Sequence, residues 1–126
     1  MRPSRLEVAK IGETFAAAHL KNKGYHILAQ NYRASRGEID LVAKDRDFIV
    51  FVEVKTRRSL KFGLPQEAVT PRKQQQISKI ALAYLQERNL LETPCRFDVI
   101  AIRLSYHLKL LRLEHIKNAF EFQEEK

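Results

Sequence analysis

The chain has 126 residues, 44% hydrophobic and 30% charged, the proportions of a soluble globular protein and enough for one sheet with helices packed on it. Three things are excluded or disfavoured at once. No apolar run approaches the ~18 residues a membrane span needs, no signal peptide is visible ahead of Glu7, Lys10 and Glu13, and a lone Cys95 cannot form an intramolecular disulfide and reads as a buried core thiol. The formal net charge of +8 favours a polyanionic partner, nucleic acid before an anionic membrane, with the cytoplasm as the expected address.

Residues 5–23 read as a helix that stops at Gly24. Leu6, Ala9, Glu13, Ala16, Ala17 and Leu20 share one face; Val8, Ile11, Phe15 and Ala18 share the opposite one. The second face suits either core or an interface. Glu13 stands in the middle of an apolar face, an expensive place for an unpaired charge. Strands follow at 25–33, 38–44 and 48–55, the last two joined by a tight reversal at Asp45-Arg46-Asp47 that lacks the usual glycine. Phe48 to Val52 are apolar without alternation, as in a central strand covered on both faces.

A basic loop with Gly63 and Pro65 as breakers leads to a helix over 71–88, with Thr70 as N-cap and Pro71 at the first helical position. A fourth strand spans 96–102, a fifth is expected at 106–113, and 114–120 reads as a short helix before a polar tail over 121–126 that is expected to fray. The order α-β-β-β-α-β-(β)-α describes a single α/β domain over 1–126, a mixed sheet of about five strands flanked by helices.

The chemistry-bearing pattern is Asp40, twelve intervening residues, then Glu53-Val54-Lys55. An acid-x-lysine pair is expected about once by chance in a chain of this composition, so context has to carry the argument. With Arg46-Asp47 as the hairpin loop, Val42 faces Phe51 and Asp40 faces Glu53. Opposed side chains share a sheet face about 5 Å apart, and Lys55 joins them two residues on. A one-residue bulge would undo that register. Two facing carboxylates repel, and a divalent cation resolves the repulsion: Mg²⁺ or Mn²⁺ could sit on Asp40, Glu53 and the carbonyl of Val54, with Lys55 protonated toward a phosphate or a water. A salt-bridge cluster at a strand end accounts for the same register equally well.

Gly12-Glu13, Asn31-Tyr32-Arg33, Gly37-Glu38-Ile39-Asp40-Leu41, Val50-Phe51-Val52-Glu53-Val54-Lys55-Thr56-Arg57 and Phe97-Asp98-Val99 together resemble the YraN family of bacterial proteins, over nearly the whole chain. That family is similar to the PD-(D/E)xK superfamily, with its restriction-endonuclease-like fold, and to archaeal Holliday-junction resolvases. The resemblance implies Asp40, Glu53 and Lys55 as the acid, acid and lysine of the motif. It also implies Glu13 as the extra first-helix carboxylate of junction resolvases. Ile39 stands where the motif's proline would be.

Six basic residues between Lys55 and Lys73 face one acid, Glu67. Among them Arg57, Arg58, Lys61 and Lys73, with Gln74, are candidate phosphate contacts, a solvated loop being the plain alternative. Asp98, in an apolar strand, is expected to pair with Arg96 or Lys73 rather than reach the metal. His19, His26, His107 and His115 show no ligand spacing. The expectation is a Mg²⁺- or Mn²⁺-dependent nuclease on DNA rather than RNA, compatible with a homodimer. Its alternatives are a non-catalytic nucleic-acid-binding protein that keeps the fold and a basic module for a protein partner.

Overall fold

The computed structural model describes residues 2–34, 36–58 and 69–124. Its elements are α1 (Arg5–Asn22), β1 (His26–Ala34), β2 (Gly37–Asp45), β3 (Phe48–Arg57), α2 (Pro71–Glu87), β4 (Cys95–Leu104) and β5 (Leu110–Phe120). Local chemistry sets the helix ends. Ser4 and Glu7 form a reciprocal capping box at the start of α1. At its end Gly24 takes a φ of +90° while Tyr25 N–H reaches back to the Leu20 carbonyl. Thr70 caps α2, with Pro71 in its first turn.

The strands lie in one sheet in the order β1-β2-β3-β4-β5. All neighbours are antiparallel except β3 and β4, which are parallel and joined through α2. Alternation sorts the sheet's side chains into two layers. Leu41, Ala43, Val50, Val52, Ile100 and Ile102 pack under Ala16, Ala17 and Leu20 of α1. Val42, Ile49, Phe51, Phe97 and Val99 pack under Ile77, Ile80, Ala81 and Tyr84 of α2. β3 is therefore covered on both sides, as its unbroken apolar run predicts. Val8, Ile11 and Phe15 line the margin of the α1 core, so the helix's second apolar face belongs to the fold, while Leu6 is exposed. No described helix is long and apolar enough to cross a membrane.

The chain end departs from expectation. Residues 105–109 form a turn closed by Ser105 N–H on the Lys109 carbonyl, and the expected terminal helix over 114–120 is instead the continuation of β5. Ile116, Ala119 and Phe120 carry helix-like spacing yet all reach the α2-side core. The reason is a bulge: the β4–β5 register slips between Phe97 and Val99, and Asn118 takes a φ of +51°. The extra residues put three side chains at i, i+3 and i+4 on one face of a strand, and pairing with β4 overrides the helical pattern.

A second irregularity positions the site. Ala29 and Tyr32 of β1, and Val42 and Ile39 of β2, all join the α2-side core although each pair is three apart. Both strands switch faces between them, at Asn31 (φ +51°) and the opposite Asp40.

Candidate metal centre and basic flank

The β2–β3 pairs run from Asp45↔Phe48 to Leu41↔Val52, the register that faces Asp40 with Glu53. Regular pairing stops there because side chains take over. Val54 N–H donates to Asp40 Oδ2 (2.8 Å), and Asp40 N–H lies 3.5 Å from Glu53 Oε2. Both partners come from β3: its Val54 backbone holds the Asp40 carboxylate, and its Glu53 carboxylate lies at the Asp40 N–H.

Glu13 arrives from α1. Gly12 makes this possible: a Cβ there would lie 1.8 Å from Thr56 Oγ1, so only glycine lets the helix sit this close to β3. Glu13, Glu38 and Asp40 each offer a carboxylate oxygen within 4.8 Å of the others. Asn31 links two of the three, its Nδ2 donating to Glu13 Oε1 (3.0 Å) and Glu38 Oε1 (2.8 Å). The exposed Arg33 pairs with Glu38 Oε2 at 3.1 Å. On the other side Lys73, from the first turn of α2, sits 3.6 Å from Glu53 Oε1 and beside Lys55.

Four carboxylates therefore gather around two lysines in a largely buried place. Burial pushes Asp40 up to about 6, with the charges of Glu13 and Glu38 adding to it against the Val54 N–H. Glu53, 3% exposed, is pushed up to about 7 by burial and then by Asp40. Lys55 is pulled down to about 8, by burial first and then by its neighbour Lys73, against the charges of Glu53 and Asp40. Lys73 moves the other way. Burial alone would lower it, but Lys55 and the charges of Glu53 and Asp40 raise it.

The other sequence candidates scatter. Arg57 is exposed at the end of β3. Arg58 donates to the Tyr106 carbonyl and stacks on the Tyr106 ring (5.1 Å), tying β3 to the β4–β5 turn. Gln74 donates its amide to the Val69 carbonyl (2.9 Å), anchoring the start of α2. Lys61 lies outside the described residues.

Asp98 belongs to a separate network. It accepts Arg96 Nε (3.0 Å), His115 Nε2 (2.8 Å) and the Asn118 N–H (3.0 Å), while Arg96 also reaches Asp45 and Tyr25. Burial would raise Asp98, but the bonds from His115, Arg96 and Asn118 outweigh it and hold its carboxyl below the usual range. His115 Nδ1 in turn meets His19 Nε2 at 3.2 Å, connecting β5 to α1. Sequence spacing gave no sign of this pairing across 96 residues.

Sequence reasoning also passed over Glu38 and Asn31 as site residues. The signal for Glu38 was its place two residues before Asp40 on a strand. For Asn31 it was an asparagine, the side chain that best tolerates left-handed backbone, opposite the same acid.

The family model "Uncharacterised protein family UPF0102" matches residues 12–102, from the glycine beside Glu13 to near the end of β4. The chain belongs to UPF0102. That span carries every carboxylate and lysine of the site. Relatives bearing the same family name match along most of their length. The protein of Syntrophus aciditrophicus is 56% identical over 116 residues, covering 92% of this chain and 90% of the relative. The protein of Trichlorobacter lovleyi is 55% identical over 115 residues, 90% of each chain. That of Geobacter sulfurreducens is 53% identical over 110 residues, 87% of this chain and 85% of the relative. UPF0102 corresponds to the YraN family that the sequence resembles.

Proposed function

We propose that this UPF0102 member is a metal-dependent nuclease of the PD-(D/E)xK, restriction-endonuclease-like superfamily, hydrolysing phosphodiester bonds in branched or otherwise processed DNA in the cytoplasm. One observation carries the reading. Asp40, Glu53 and Lys55 meet at the end of the β2–β3 hairpin together with Glu13 and Glu38, in a place that leaves negative charge in excess. A fold built only for stability gains little from gathering half-buried and buried carboxylates in excess of their cations.

The donor set fits a hard divalent ion. Its grouped ligands are carboxylate oxygens, with no imidazole or thiolate among them, which suits Mg²⁺ or Mn²⁺ better than Zn²⁺. Asp40, Glu53 and the carbonyl of Val54 are the proposed ligands, and Glu13 and Glu38 extend the set on the α1 side, with Asp40 common to both groups. When bound, such an ion makes a coordinated water more acidic and offsets charge building on the phosphoryl oxygens.

The chain's own residues do the rest. Lys55, beside Glu53 and Asp40, is placed to hydrogen-bond the scissile phosphate or the attacking water. Lys73 holds Glu53 and keeps a permanent positive charge beside Lys55. Asn31 fixes the carboxylates of Glu13 and Glu38, and Glu13 serves as the auxiliary acid. A non-catalytic binder that keeps the fold is the rival, and metal affinity separates the two. Mn²⁺ titration by calorimetry is expected to show saturable binding that Asp40→Asn abolishes and Glu53→Gln weakens at least tenfold. Wild-type protein that takes up no Mn²⁺ favours the binder.

A further inference from the structure

The sheet register places three arginines side by side. Arg57 on β3 pairs with Arg103 on β4, and Arg103 pairs with Arg112 on β5. Paired residues point to the same face. That face is the one of Phe51, Phe97, Val99 and Ile116, the α2 side, which is also the face of Glu53 and Lys55. The row lies one step, two residues or about 7 Å, beyond Lys55.

Like charges directly opposite one another destabilise a sheet, and little here compensates. Among the described residues neither Arg57 nor Arg103 has a carboxylate partner, and Arg112 reaches Glu114 only at 4.0 Å. Arg57 and Arg112 are exposed and Arg103 is half-buried. Two strand spacings separate the outer pair, about 9.6 Å between Cα atoms, a span wider than one phosphate group. Arginines on three successive strands suit a chain of phosphates better than a single anion, because planar guanidiniums spread over that span can engage more than one phosphate.

We propose that Arg57, Arg103 and Arg112 form a phosphate track that carries the nucleic-acid strand from the metal site across β3, β4 and β5 to the sheet edge. The track deepens the nuclease reading and rests on it for its direction. It also commits to a substrate that continues for several nucleotides to one side of the reacting phosphate. The arginine row binds backbone without regard to base, so recognition through it is of structure and charge.

The test measures binding apart from cleavage. Full-length protein is titrated into fluorescently labelled DNA, duplex and single-stranded, in EDTA at 50–200 mM salt, and thermal midpoints are recorded alongside. The variant Arg57→Gln/Arg103→Gln/Arg112→Gln is expected to lose at least tenfold in affinity and to flatten the log–log salt slope on duplex by about 2 to 3. The single variant Arg103→Gln should flatten it by about 1, and the triple lysine variant should stay within a few-fold of wild type. The midpoint of the glutamine variants should hold or rise at low salt, since repulsion is removed. An unchanged slope and affinity overturn the track, as does a wild-type protein that ignores DNA but binds phosphatidylglycerol vesicles through the same arginines. Row-dependent binding by a protein that never cuts DNA in Mn²⁺ supports the track and sinks the nuclease reading instead.

Discussion

Asp40 and Glu53 hold charge where the surroundings disfavour it. Their folded pKa values, about 6 and 7, lie above those of an unfolded chain. Between the two sets of values the native state binds more protons than the unfolded one, so this site lowers stability as pH rises from about 5 to 8. In metal-free buffer Asp40→Asn should therefore be more stable than wild type, with an advantage that grows over that pH range to about 2 kcal/mol. Urea denaturation at several pH values measures it, and Mn²⁺ should close the gap by stabilising wild type alone. Gly12 is the second residue with a definite consequence. Gly12→Ala drives a methyl into Thr56 and must lift α1 from β3, at a cost of about 2 kcal/mol. The same lift moves Glu13 from Asp40, so Mn²⁺ affinity should fall with stability, while adding Thr56→Ala should restore part of both. Asp40, Glu53, Lys55 and Glu13 were legible in the sequence because each is a charge in an apolar setting. Glu38 and Asn31 were not, because their roles arise where both strands switch faces, and no alternation pattern announces that.

At the scale of elements, the register of the β2–β3 hairpin was readable to the residue, and its strand ends to within one or two. Two adjacent apolar runs around Arg46-Asp47 allow one register that keeps both faces apolar, and Arg46 accepts a positive φ (+56°) in place of the missing glycine. β5 was not readable. Its bulge gives Ile116, Ala119 and Phe120 the spacing of a helix, and the partner that decides the matter, Asp98, lies on another strand. Asp98 secures that region by collecting Arg96, His115 and the Asn118 N–H at the β4–β5 bulge. Asp98→Ala should cost about 3 kcal/mol in urea denaturation, since it leaves buried donors without an acceptor. The folded pKa of Asp98 lies below the ordinary 3.8, so its contribution is intact above that value and lost as pH falls through the folded one. The loss of wild-type stability as pH falls below 3.8 should accordingly be shallower in Asp98→Ala.

Across the whole molecule, the two helices seal opposite faces of the sheet and each delivers one charge to the same point: Glu13 from α1 and Lys73 from α2. The excess of basic residues that composition shows is not spread evenly, for a row of arginines continues the site along the sheet. A surface of this kind, the acids at its head and the cations beyond, is what the proposed phosphodiester substrate requires. The most direct measurement is cleavage of end-labelled linear duplex, single-stranded and four-way-junction DNA in Mg²⁺ or Mn²⁺, by wild type, Asp40→Asn and Lys55→Met. The nuclease account predicts cutting of at least one of these by wild type, a loss of at least a hundredfold in both variants, and DNA binding in EDTA that both retain. Cleavage that survives in both variants at the wild-type rate, or no cleavage of any substrate by protein shown to bind Mn²⁺ and DNA, contradicts it.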